Sequence, residues 1–317
     1  MRKTGIDEDT FIRIWHENEG SATQVAKALG ISPRNAFGRR SAIENRRGIT
    51  LTSTDIRSNR PAAVPPGRIL HDLPDGTVLV GSDAHVWPGE RTTAQRAFIQ
   101  FAKKLKPSLV VINGDLFDGA RVSRHPAGIW SQQQRPTVKQ ELEACQSFMD
   151  DLLKASPNSS RYWLWGNHDA RFEIRLATVA GEYEGVSGFA LKDHFPGWTM
   201  GMSLWVNDCV IKHRSSHSGL HAVYNNTLKA GTSIVTGHLH SLKVTPFSDY
   251  RGHRVGVDTG TLADCDGPQF DYMEDNPRNW RSGFVLLTFK DGQMLYPEII
   301  QTWGQDAVQF RGEVIPV

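Results

Sequence analysis

The chain has 317 residues, 39% of them hydrophobic and 22% charged, which describes an ordinary globular protein. No apolar run approaches the roughly 18–20 residues that span a bilayer, and the opening MRKTGIDEDTFIRIW lacks the apolar core of a secretory signal. Cys145, Cys209 and Cys265 are scattered and odd in number, so they read as reduced thiols of a cytoplasmic protein, not as a disulfide framework. Net charge is +2, unevenly spread: residues 1–60 hold 11 Lys/Arg against 7 Asp/Glu, and the remainder 25 against 27. A basic head on a mildly acidic body points to a polyanionic partner for the head.

Residues 1–50 read as helices. Phe11, Ile14 and Trp15 recur at helical spacing. SATQVAKALG opens with the capping-box pair Ser21 and Gln24 and stops at Gly30; the next segment starts with Ser32 and Pro33 and stops at Gly48. Residues 51–67 lose periodicity and gain proline, which predicts a linker. Residues 68–317 alternate strand and helix patterns, with no internal repeat. Apolar runs occur at GTVLVG, SLVVING, RYWLWG, LWVNDCVIKH, SIVTG, KVTPF, HRVGVDTG and GFVLLTFKDGQMLYPEII, the last reading as a pair joined at Asp291-Gly292. TAQRAFIQFAKKLK and TVKQELEACQSFMDDLLKA are amphipathic helices. The pattern is α/β layers around a sheet core.

Five of the apolar runs end in residues that bind metals: Asp83 and His85, Asp115 and Asp118, Asn167-His168-Asp169, His213, and His238 and His240. Each motif alone also reads as a polar strand end or turn; their joint occurrence in order is what favours ligation. Period-two spacing predicts that Asp83/His85 and His238/His240 each point to one side of an extended chain, and strand ends on one sheet edge converge on a crevice. Carboxylate, imidazole and amide oxygen suit Mn, Fe, Zn, Co or Ni. Two such cations roughly 3.5–4 Å apart clamp a phosphoryl group and acidify water between them. Asp115 is the natural anionic bridge.

The order DxH, GDxxD, GNHD, H, GHxH resembles the calcineurin-like metallophosphoesterase superfamily over roughly residues 75–260. That resemblance implies a four-layer αββα sandwich. It implies Asp83, His85, Asp115 and His240 on one metal, with Asp115, Asn167, His213 and His238 on the other. It implies His168 as proton donor to the leaving oxygen, with Asp169 orienting it, and a metal-bridging hydroxide as nucleophile. Mn²⁺ is the first metal expected. GNHD stands where the protein Ser/Thr phosphatases have Gly-Asn-His-Glu, which disfavours that branch. The family usually writes His-Gly after its fourth strand. Here VIKHRSSHSGLH offers His213 directly after the apolar run, with His217 as runner-up, and Arg214 in place of the glycine is a candidate phosphate contact. Arg171 and Arg175 follow on a helix, with solvent or phosphate as alternatives. Asp118 reads as a supporting residue. Residues 121–137, with Arg124, His125 and Trp130, read as a lid or a connecting loop. Tyr272, Arg278, Trp280 and Arg281 read as packing over the sheet or as a substrate rim.

The head resembles a helix-turn-helix with Val25, Ala26, Leu29, Ile31, Ala36 and Ile43 as core. Its second helix carries Arg34, Asn35, Arg39, Arg40, Arg46 and Arg47 as candidate nucleic-acid contacts. This head on such a body resembles proteins of phages and prophages. The leading expectation is a phosphodiesterase or nuclease acting on nucleic acid, in host cytoplasm if phage-encoded. The alternatives are a phosphomonoesterase or small-nucleotide phosphodiesterase, and a DNA-binding regulator with a non-catalytic metal body.

Overall fold

The computed structural model describes residues 6–49, 51, 67–123 and 135–317. The chain divides into two compact units, residues 1–65 and 66–317. Most of the expected linker lies outside the described residues, as do Arg124, His125 and Trp130 of the expected lid.

In the first unit, α1 (Glu8–Glu17) starts at Asp7, whose carboxylate accepts the Thr10 N–H at 2.9 Å. Helix α2 (Ala22–Leu29) starts at Ser21, whose hydroxyl accepts the Gln24 N–H, and ends at Gly30 in the left-handed region. Helix α3 (Pro33–Arg47) starts with Ser32 as cap and Pro33 in its first turn, and ends at Gly48, also left-handed. Phe11, Trp15, Ala22, Val25, Ala26, Ala36 and Ile43 are buried together, with Leu29 and Ile31 packed against them.

The second unit is two mixed sheets face to face. Along the chain its strands are β1 (Arg68–His71), β2 (Gly76–Gly81), β3 (Leu109–Ile112), β4 (Ser160–Leu164), β5 (Thr199–Gly201), β6 (Ser203–Val206), β7 (Cys209–Ile211) and β8 (Ser233–Thr236). Then come β9 (Lys243–Asp249), β10 (Gly252–Asp258), β11 (Gly283–Lys290), β12 (Gln293–Met294), β13 (Glu298–Thr302), β14 (Ala307–Phe310) and β15 (Glu313–Pro316). One sheet runs β1-β6-β7-β8-β10-β9; the other runs β15-β14-β13-β11-β2-β3-β4-β5, with β12 on β11. The helices are α4 (Thr93–Leu105), α5 (Val138–Ala155), α6 (Ala170–Val179) and α7 (Ala222–Ala230).

Strand alternation sets the layers. Val78 and Val80, Leu109 and Val111, and Val285 and Leu287 face the core shared with Leu204, Ile211, Val235 and Val257 of the other sheet. Their neighbours Leu79, Val110, Ile112, Phe284 and Leu286 face Phe98 and Phe101 of α4 and Phe148 and Leu152 of α5. Helix α7 packs on β8, β9 and β10. The result is an αββα sandwich. LWVNDCVIKH is not one strand: Asn207, at φ 49°, turns the chain between β6 and β7. The predicted turn at Asp291-Gly292 is present, with both residues at positive φ.

Candidate metal centre

The site forms where β2, β3 and β4, parallel neighbours in one sheet, and β7 and β8, parallel neighbours in the other, release their loops. Main-chain bonds knit these loops: Asp83 N–H to Gly114 O and His85 N–H to Asp115 O, both 2.9 Å, and Gly237 N–H to His213 O, 2.9 Å.

The expected extended geometry of the two period-two pairs is corrected. Asp83 (φ 51°), His85 (φ 37°), Asp115 (φ 51°), His238 (φ 73°) and His240 (φ 56°) all stand in the left-handed region just past their strands. Non-glycine residues adopt that conformation only where the surroundings enforce it, at a cost of about 1–3 kcal/mol each. The side chains therefore converge through tight turns, not along a pleated strand. The glycine of GHxH follows from crowding: a Cβ on Gly237 would lie 2.6 Å from Asp83 Oδ2. A Cβ on Gly166 of GNHD would run into Asp115 Oδ1.

Ligand-type atoms gather as Asp83–His85–His240 and as Asp115–His213–His238, each set within 4.8 Å. Asp83 Oδ1 lies 3.0 Å from His240 Nε2, and Asp115 Oδ2 lies 3.1 Å from His213 Nε2. His213, not His217, joins the cluster; His217 is exposed and bonded to Asn226. His85 Nε2 and Asn167 Oδ1 are buried without a hydrogen-bond partner. Buried polar atoms are rarely left so, which is the signature expected of atoms reserved for a cation. Electrostatics agree. Burial opposes ionisation of Asp83, but His240 and His213 hold its carboxyl down at about 2. Burial alone would lower His213, but Asp115 and Asp83 drive it up to about 10. The carboxylates thus create a strong demand for positive charge, which a proton or a metal satisfies.

A third set, His85–Asp118–His168, is also close. There Asp118 Oδ1 is already bonded to His85 Nδ1 at 2.8 Å and to His168 Nδ1 at 3.0 Å. It is a hydrogen-bonded support, which fixes both rings.

Asp169 does not orient His168, and that expectation is corrected. Its two oxygens accept the N–H groups of Asp115, Phe117 and Gly166 at 2.9–3.0 Å and the Trp163 indole N–H at 3.2 Å. Consecutive residues leave the turn in different directions: His168 towards Asp118, Asp169 into the loop scaffold. Arg171, in the first turn of α6, places Nη2 3.0 Å from His168 Nε2 and Nη1 2.8 Å from Asp118 O. Since Arg only donates, His168 Nε2 accepts, which leaves the ring proton on Nδ1 facing Asp118. Arg175 and Arg214 are exposed.

Sequence reasoning missed Phe270, while Trp280 was among the residues expected to pack over the sheet or form a substrate rim. Phe270 packs its ring 5.1 Å from that of His85 and 5.5 Å from that of His240. Trp280 lies 4.5 Å from the His240 ring. The segment carrying them has no periodicity, so it gave no signal beyond its aromatics.

It also missed Glu141, which is fully buried in α5. Its Oε1 accepts the Ala120 N–H at 3.3 Å and its Oε2 has no partner. Burial, aided by Asp118, pushes its pKa up to about 8. A raised folded-state pKa means stability held below the unfolded value near 4.5 and lost as pH rises through about 8. Glu141→Gln is therefore expected to unfold like the parent at pH 5 and to be more stable at pH 9, by a few kcal/mol at most. Denaturant melts at the two pH values check this.

The loops of one sandwich edge thus bring buried carboxylates and imidazoles into sets that could hold metal ions. The calcineurin-like phosphoesterase family pattern matches residues 76–242, and the chain belongs to that family of metal-dependent phosphoric ester hydrolases. It is similar to the gene 54 protein of Mycobacterium phage L5: 27% identical over 253 residues, 72% of this chain and 94% of that one. The gene 54 protein of Mycobacterium phage D29 is likewise 27% identical, over 72% of this chain and 94% of its own. Among solved structures, an archaeal phosphodiesterase aligns over 70% of this chain and 99% of its own, at 14% identity and a TM-score of 0.37. No helix among the described residues is long and apolar enough to cross a membrane.

Proposed function

We propose that the chain is a dinuclear phosphodiesterase acting on nucleic acid in the cytoplasm of a host cell. Asp83, His85, Asp115 and His240 would hold one cation, and Asp115, Asn167, His213 and His238 the other. The observation that carries this reading is the pair of partnerless buried atoms, His85 Nε2 and Asn167 Oδ1, set among buried carboxylates. The donor set is oxygen and imidazole, which suits Mn²⁺ first and also Fe, Zn, Co or Ni. When bound, two such cations supply Lewis acidity towards phosphoryl oxygens and acidify water.

The chain's own residues manage the substrate and the proton. Asp118 steadies His168 through Nδ1. Arg171 sits on His168 Nε2, the atom from which a leaving oxygen would take its proton. An incoming phosphate draws the guanidinium off that nitrogen, because a guanidinium grips phosphate oxygens in pairs. Arg171 thus binds substrate and frees His168 Nε2, which takes up a proton from solvent, favoured by Asp115 and Asp118, and passes it to the leaving oxygen. Arg171→Ala is expected to raise KM for a diester about tenfold, the loss of a charge-assisted hydrogen bond. Metal content should stay unchanged, as elemental analysis would check.

The first unit supplies the nucleic-acid affinity. Within it Arg47 is tied to Glu8 and Asp9, Arg46 to Glu8 and Arg40 to Glu44. Arg39 lies over the Phe11 ring at 5.7 Å. Arg34 and Asn35 are exposed in the first turn of α3. Arg34→Ala should weaken DNA binding and lower its salt dependence by about one unit of slope. Arg47→Ala should act first on the stability of the unit.

The deciding experiment is a Mn²⁺-dependent panel of single- and double-stranded DNA, RNA, bis-p-nitrophenyl phosphate and p-nitrophenyl phosphate. Hydrolysis of the diesters and a nucleic acid supports the proposal. Turnover of the monoester alone overturns it.

A further inference from the structure

A cleft of about 490 Å³ opens beside the metal cluster, lined by Asp266, Glu274, Asp275, Asn276, Arg278 and Trp280. Its position is fixed by Trp280, which forms part of the cleft wall and also packs against the His240 ring, centroids 4.5 Å apart. The indole is backed by Phe270, 4.9 Å away, which itself packs on the cluster. The rings meet at steep angles, 67° between Phe270 and Trp280, so the half-buried Trp280 alone carries the aromatic wall from the edge of the cluster to the cleft.

The charges restrict the occupant. Arg278 stacks over the Trp280 ring at 5.4 Å, pairs with Asp266 at 3.3 Å and donates to the Cys265 carbonyl. That leaves Glu274 and Asp275 on the wall, both exposed, with no cation of the lining to balance them. A phosphate is repelled from such a lining. A planar group that packs on the Arg278–Trp280 pair and carries N–H donors is favoured by it, since a guanidinium plane stacks on a base as an indole does and carboxylates accept only.

We infer that this cleft is a nucleobase subsite: it takes one unstacked base of the substrate, and its carboxylates favour bases with amino and imino donors. Guanine offers two adjacent donors to one carboxylate, cytosine and adenine one amino group each. Thymine and uracil offer a single imino group flanked by carbonyls that the carboxylates repel. The scissile phosphate lies on the cluster while its base lies on Trp280, so a base held in a duplex must first leave its stack. The inference deepens the phosphodiesterase proposal and rests on its placement of the phosphate.

The test is competitive inhibition of bis-p-nitrophenyl phosphate hydrolysis by GMP, CMP, AMP and TMP, with the full chain in Mn²⁺. GMP is expected to inhibit about tenfold more tightly than TMP, the scale of one good base contact. Within Glu274→Gln/Asp275→Asn the ratio of the two constants should fall towards one. Trp280→Ala should weaken all four nucleotides, by about tenfold for the lost stacking, and Trp280→Phe should restore most of that. Equal inhibition by the four nucleotides overturns the subsite. So does a GMP-to-TMP ratio that survives the double substitution. These outcomes are independent of polymer cleavage. Base discrimination without hydrolysis of DNA or RNA would refute the nucleic-acid reading and keep the subsite, while nuclease activity with equal inhibition would do the reverse.

Discussion

Asp115→Asn is expected to remove metal and turnover together. The carboxylate is buried, with Oδ1 accepting the His168 N–H at 2.8 Å and Oδ2 beside His213. Its main-chain N–H is held by Asp169 and its main-chain O by His85. An asparagine keeps the shape and the acceptor for His168, and the main-chain bonds do not depend on the side chain. What it loses is the negative charge placed between His213 and the remaining carboxylates. The fold should therefore survive, and circular dichroism should match the parent. Metal affinity should fall by far more than the roughly 10–100-fold typical of a residue that only supports a ligand. Elemental analysis and bis-p-nitrophenyl phosphate turnover read the two effects side by side. Full activity in this variant would exclude a bridging role for Asp115.

His168→Ala should separate the two effects. The ring belongs to neither of the sets centred on Asp83 and Asp115. Its contacts are Asp118, through Nδ1, and Arg171, through Nε2. Metal content should stay at the parental level while kcat falls about 10²–10⁴-fold, the range of a lost general acid. Burial lowers the affinity of His168 for a proton, but Asp115 and Asp118 outweigh it and raise its pKa above the ordinary value. A substrate whose leaving group needs no proton, such as p-nitrophenolate, should be the least affected. Loss of metal from His168→Ala would instead make the imidazole a ligand.

The sheet layers were legible because each strand alternates residues between two cores, and each ligand follows an apolar run. Asp83, Asp115, Asn167 and His238 could be picked out as candidates from motif order and the family resemblance, with His213 and His217 both open. What order could not give is direction. His168 and Asp169 are adjacent in sequence, yet one faces Asp118 and the other holds the main chain of Asp115, Phe117 and Gly166. The five left-handed candidate-ligand residues carry no mark in sequence, since histidine and aspartate do not advertise that conformation as glycine does. Phe270 and Trp280 come from a segment without helix or strand period, so their approach to His85 and His240 exists only in three dimensions.

The most direct measurement is anomalous diffraction from crystals of the protein grown with Mn²⁺. Two peaks should appear on either side of Asp115, one within reach of Asp83, His85 and His240, the other within reach of Asn167, His213 and His238. A single peak, or peaks away from these side chains, would contradict the dinuclear centre and the hydrolytic mechanism built on it.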